Sequence, residues 1–104
     1  MTPLDMSKYR ALFIEQSREH LEDLSRTLAA EALPAGAVDE VFRHVHSIKG
    51  MAASMGYEPI ATLAHRFEDV VGERRDRGGV FDSRLVDALL EAVDVLAAQV
   101  AAVA

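Results

Sequence analysis

Of the four histidines in the chain, His46 has the neighbours that chemistry asks for, in the run Arg43-His44-Val45-His46-Ser47-Ile48-Lys49-Gly50. An imidazole becomes a nucleophile when a carboxylate accepts one ring N–H, because this fixes the tautomer and leaves the other nitrogen's lone pair free. Such a nitrogen can attack phosphorus, and a nearby ammonium balances the charge of a phosphoryl group. Lys49 is spaced for the second role, one turn after His46, and Glu68 is the candidate for the first. Gly50 removes side-chain bulk beside His46, which lets another protein's surface come close. From there Met51-Ala52-Ala53-Ser54-Met55-Gly56 is small and pliable, and with Gly50 it offers Met51 and Ser54 as docking contacts.

These side chains need elements to hold them. Punctuation falls at Pro34-Ala35-Gly36, at Gly56-Tyr57-Glu58-Pro59, and at Gly78-Gly79 before Phe81-Asp82-Ser83, which divides the chain into four segments. Each has apolar residues at helical spacing. Leu12, Phe13, Leu21, Leu24 and Leu28 mark the first, and Val38, Val41, Phe42, Val45, Ile48, Ala52 and Met55 the second. Ile60, Leu63, Ala64, Phe67, Val70 and Val71 form the third stripe; Leu85, Ala88, Leu89, Val93, Leu96, Val100 and Val103 form the fourth, which starts after a capping Asp82. Strand-like alternation is absent. Short connections between long amphipathic helices predict an all-α fold, an antiparallel up-down-up-down four-helix bundle.

At roughly 100° per residue, His46 lies about 120° from the centre of its stripe, with Lys49 and Gly50 within about 60° of it one turn later. On the third helix Glu68 lies about 110° from its stripe centre in the same rotational sense, with His65 one turn before it. In antiparallel neighbours, flanks offset in the same sense either face each other or both turn away. The first arrangement puts Glu68 and His65 beside His46. The same wheel sends His44 toward solvent and leaves His20 along the first stripe as a structural residue.

With 104 residues and half of them apolar, the chain suffices for a single domain over 1–104. Its net charge of −6, spread along the sequence, argues against DNA or RNA as partners. The lack of cysteine excludes a disulfide framework, thiol chemistry and Cys-ligated zinc, and agrees with a cytoplasmic setting. The N-terminal residues form no apolar h-region, and the last apolar run, broken by Asp94 and Gln99, is too short to span a bilayer, so no membrane insertion is expected.

The runs His46-Ser47-Ile48-Lys49-Gly50-Met51-Ala52-Ala53-Ser54-Met55-Gly56 and Leu63-Ala64-His65-Arg66-Phe67-Glu68 together resemble the histidine phosphotransfer (HPt) domain at the N-terminus of CheA-type chemotaxis histidine kinases. The likeness extends to Tyr9-Arg10-Ala11-Leu12-Phe13-Ile14-Glu15, Glu19-His20-Leu21 and Val41-Phe42-Arg43. It implies that His46 accepts a phosphoryl group from a kinase ATP-binding domain, on the ring nitrogen away from Glu68, and passes it to an aspartate of a response-regulator receiver domain. It further implies that Lys49, His65 and Glu68 surround the imidazole, with His65 adding a supporting hydrogen bond. ATP and magnesium would be bound by the partner kinase domain and no cofactor by this chain, which has no glycine-rich nucleotide segment and should not phosphorylate itself. Relatives in kinases often carry a further helix, so an N-terminal fragment of a longer histidine kinase is expected alongside a free-standing relay. Met51 departs from the smaller residue that many relatives have there, and leaves the choice of partner open.

Simpler roles compete with each of these. Lys49 would extend past the core edge, Glu68 would be one more solvated acid, Met51 and Met55 would fill the core, and Arg74-Arg75-Asp76-Arg77 would complement the charge of a helix C-terminus. At the level of the whole chain, the alternatives are a structural or dimerising bundle and a metal-binding bundle using His46, His65 and Glu68, or His44 in place of one of them. The second has a weak signature, because metal sites in bundles pair two Glu-x-x-His motifs and here a single His-x-x-Glu stands alone.

Overall fold

In a computed structural model, which describes residues 6–33 and 35–104, the chain forms α1 (Met6–Ala29), α2 (Ala37–Met55), α3 (Glu58–Asp76) and α4 (Ser83–Val103). No strand occurs among the described residues. The ends of the helices follow from local chemistry. Gly56 closes α2 with a left-handed φ of 74°, its N–H bonding to Ala53 O while the Tyr57 N–H reaches back to Ala52 O. Gly78 ends α3 in the same way, with bonds from Gly78 and Gly79 to the carbonyls of Arg75 and Arg74. The Leu85 N–H donates to Asp82 Oδ1 at 2.8 Å, the cap expected for α4.

Each helix packs on its sequence neighbours, and α1 also packs on α4, while the backbones of the diagonal pairs stay further apart. The register is antiparallel: rising numbers on α1 meet falling ones further on, Phe13 with Tyr57 and His20 with His44. On α2 and α3 the same holds, with His46 opposite Glu68 and Phe42 opposite Gly72. This is the up-down-up-down four-helix bundle that the spacing predicts. Its core joins Leu21, Leu24 and Leu28 of α1, Val41, Val45 and Ile48 of α2, Ala64, Phe67 and Val71 of α3, and Leu89, Val93, Leu96 and Val100 of α4. Each fully buried leucine or isoleucine among them contributes ~1.5–3 kcal/mol through removal from water.

Three members of the predicted stripes face outward instead. Leu12, Val70 and Ala88 are exposed, because each lies where its helix has no neighbour to cover it. Conversely, Phe81 in the α3–α4 connection and Ser17 on α1 are buried. No described helix is long and apolar enough to cross a membrane.

Candidate functional site

His46 and Lys49 share one flank of α2, anchored on either side by the buried Val45 and Ile48. Across from them Glu68 follows the buried Phe67 on α3, so its carboxylate emerges at the seam between the helices. Of the two arrangements that the helical wheels allow, the flanks face each other. His46 Nδ1 lies 2.6 Å from Glu68 Oε2, and Lys49 Nζ donates to Glu68 Oε1 at 2.8 Å. The carboxylate is thus held at both oxygens. Burial alone would raise its pKa, but the hydrogen bonds from Lys49 and His46 outweigh this and keep Glu68 below the usual 4.5.

An ionised carboxylate only accepts, so His46 Nδ1 carries the proton and donates it. The tautomer leaves Nε2 with a lone pair, and no described residue bonds to it. The Glu68 side chain is 12% exposed and that of His46 is 61% exposed: the carboxylate is sheltered while the imidazole is open to solvent. In addition, the ring of Phe42, one turn earlier on α2, lies nearly parallel to the imidazole, 12° between the planes.

Gly50, Met51 and Ser54 line an open groove of about 610 Å³ between α1 and α2, together with Tyr9, Leu12 and Gln16. His46 forms part of its wall. A Cβ on Gly50 would meet nothing, so the glycine keeps that wall low. Met51 and Met55 pack against the core and also line the groove.

His65 does not join the cluster. Its ring is exposed and follows its own helix, with Nε2 3.6 Å from Asp69 Oδ1, and it forms no hydrogen bond with His46, Glu68 or Lys49. The expected supporting bond is therefore not made in this arrangement. With His65 turned away, the set His46, His65 and Glu68 does not converge, and among the described residues no three His, Cys, Asp or Glu side chains are placed to hold a metal. His44 also departs from its expected solvent-facing position. Its side chain is 19% exposed, with Nδ1 2.9 Å from His20 Nδ1 and Nε2 near Asp23 and Glu40. A single-helix wheel cannot register the α1 surface that covers it.

Sequence reasoning missed the setting of Phe42. The guanidinium of Arg75 lies over its ring, 4.0 Å from the centre, and Gly72 faces its edge. A glycine inside α3, where alanine would favour the helix by about 1 kcal/mol, was the available signal of a close approach.

Comparisons with known proteins identify the family of the chain and its fold. The sequence profile of the Hpt domain matches residues 8–99. Chemotaxis protein CheA of Bacillus subtilis (strain 168) is 38% identical over 96 residues, covering 89% of this chain and 14% of that protein. Chemotaxis protein CheA of Halobacterium salinarum is 34% identical over 92 residues, covering 86% of this chain and 14% of that protein. The chain thus spans only a small part of the length of the curated relatives it matches. Among solved structures, the phosphorylated P1 domain of CheA3 in complex with CheY6 from R. sphaeroides superposes with a TM-score of 0.85 and 31% identity, over 91% of this chain and 77% of that one. The CheA phosphotransferase domain from Thermotoga maritima gives a TM-score of 0.83 and 28% identity, over 97% and 98% of the two chains. The profile match over most of the chain and the likeness to these four-helix bundles lead to one conclusion: the chain belongs to the Hpt domain family.

Proposed function

We propose that this domain is a phosphoryl carrier of chemotaxis-type two-component signalling, with Nε2 of His46 as the acceptor. The observation that carries the reading is the doubly held Glu68 carboxylate on His46 Nδ1, which leaves Nε2 unprotonated and exposed. In the first step the Nε2 lone pair attacks the γ-phosphorus of ATP bound with magnesium on a kinase ATP-binding domain. The N–P bond forms as the bond to the ADP oxygen breaks. The ring becomes cationic, and Glu68 stabilises it through the Nδ1 proton without removing that proton. In the second step an aspartate oxygen of a receiver domain attacks the same phosphorus, the N–P bond breaks, and the imidazole returns neutral.

Lys49 has two parts in this scheme. It clamps Glu68, and its ammonium adds positive potential where the phosphoryl group would sit. His65 would have to swing off Asp69 to add a hydrogen bond. Gly50, Met51 and Ser54, on the groove beside His46, are the proposed contacts for the receiver domain. The CheA3 P1 domain, similar to this chain, forms a complex with CheY6, which supports a partner of that class. The setting is the cytoplasm, and the parent protein is a CheA-type histidine kinase of which this chain supplies the carrier domain.

The test is incubation with the ATP-binding domain of a CheA-type kinase, ATP and magnesium, followed by intact-mass analysis. One acid-labile phosphoryl group is expected on the wild-type chain and none on His46→Gln, with equal helicity in both. Phosphate on His46→Gln at the wild-type level would refute the assignment.

A further inference from the structure

A single hydrogen bond fixes a line but not a plane. The His46 imidazole, 61% exposed, can swing about its bond to Glu68 unless something restrains its face. Among the described residues, one aromatic ring does so. Phe42 lies nearly parallel to it with 6.0 Å between ring centres, within the range of offset aromatic pairs. Behind Phe42, the Arg75 guanidinium of α3 is centred 4.0 Å from the middle of the ring. Gly72 permits the approach, since a Cβ there would come within 3.3 Å of Phe42 Cε2. Three flat groups from two helices therefore form a column that ends on the reactive imidazole.

Two features of the column run against local preference. Glycine within a helix gives up backbone stability that alanine would keep. The Arg75 side chain is 38% exposed and free to extend into solvent, yet its guanidinium lies on the aromatic face while also donating to Asp76 Oδ1 at 3.4 Å. Planar, weakly hydrated guanidinium suits that face better than an ammonium would.

We infer that Phe42, backed by Arg75 across Gly72, is a positioning residue for His46, fixing the imidazole plane so that Nδ1–H stays on Glu68 and Nε2 stays aimed outward. Its kinetic consequence rests on the phosphoryl-carrier reading; its structural consequence does not. The column restrains the ring before any partner arrives, so its loss lowers the fraction of time that Nε2 is presented as a nucleophile. Phe42 also packs against the core, so the variants must separate packing from orientation.

Phe42→Leu keeps apolar bulk and removes the flat face; Phe42→Tyr keeps the face. Arg75→Gln, at an exposed position, removes the backing without touching the core. The readout is the pair of ring ¹⁵N shifts of His46 at a pH where the imidazole is neutral, alongside the initial rate of phosphorylation and the far-UV circular dichroism. Wild type and Phe42→Tyr should show the Nδ1–H tautomer. Phe42→Leu and Arg75→Gln should move toward the mixture of a free imidazole, and phosphorylation should slow about fivefold and about twofold respectively. Wild-type nitrogen shifts in Arg75→Gln and in folded Phe42→Leu would overturn the inference. A wild-type chain that takes no phosphate would refute the carrier reading, and the nitrogen shifts would still decide the role of the column.

Discussion

Glu68 is the residue on which the site depends, because it joins the imidazole to the ammonium and is itself nearly covered. Its pKa is lowered in the folded state, so it binds fewer protons there than in the unfolded chain. The resulting stability is fully present above about 4.5 and is lost as pH falls through the lowered folded value. Thermal melts from pH 7 to pH 3 should show an acid limb that flattens in Glu68→Gln, and the same variant should accept phosphate more slowly at neutral pH. An unchanged limb would mean that the pairing seen here does not hold in solution. His20 also loses stability on acidification, but because its charged form is disfavoured in the folded state. Burial first, and then the neighbouring His44, push it below 6.5, against the pull of Asp23 and Glu19; Glu40 and Asp23 also flank His44. Its folded form therefore binds fewer protons than the unfolded form, and stability falls as pH drops below about 6.5 until the folded value is passed. His20→Gln should reduce the loss of melting temperature between pH 7.5 and pH 5.5, and an identical loss would refute this. Position along the sequence revealed His46, Lys49 and Glu68, because one-turn spacing and flank angle are properties of single helices. The His20–His44 pair was hidden for the complementary reason: its partners are 24 residues apart and meet only once α1 covers α2.

The elements themselves were legible, since apolar spacing, Gly56, Gly78 and the Asp82 cap mark four helices with little ambiguity. What the wheels left open was the sense of rotation between α2 and α3, on which the whole site turns. That is fixed by packing, with Gly72 admitting Phe42 and, one turn away along the same side of the seam, Glu68 reaching His46. Mid-helix polar or glycine residues on buried faces are where the helical pattern misleads. Ser17 is fully buried on α1 and its hydroxyl has no hydrogen-bond partner among the described residues, so it carries a desolvation cost that a methyl group would not. Ser17→Ala should stabilise the domain by about 1 kcal/mol, raising the melting temperature by about 4 °C or more for a domain of this size. A lower melting temperature would show that the hydroxyl is satisfied in solution.

The whole molecule is a narrow rod, 51 by 23 by 21 Å, with His46 on its side rather than in a closed pocket. This shape suits a carrier that two different partners must reach in turn, because neither needs to enter a cavity and water is kept out only when a partner docks. In the proposed relay the bundle would supply orientation and each partner the rest of the chemistry. A bundle that selects one nitrogen of one histidine predicts a single phosphohistidine isomer, which phosphorylation of the chain with a CheA-type ATP-binding domain, ATP and magnesium, followed by ³¹P and ¹⁵N NMR of His46, would identify. Phosphate on Nε2, with Nδ1 still protonated and bonded to Glu68, is the predicted result; phosphate on Nδ1, or on any residue other than His46, would contradict it.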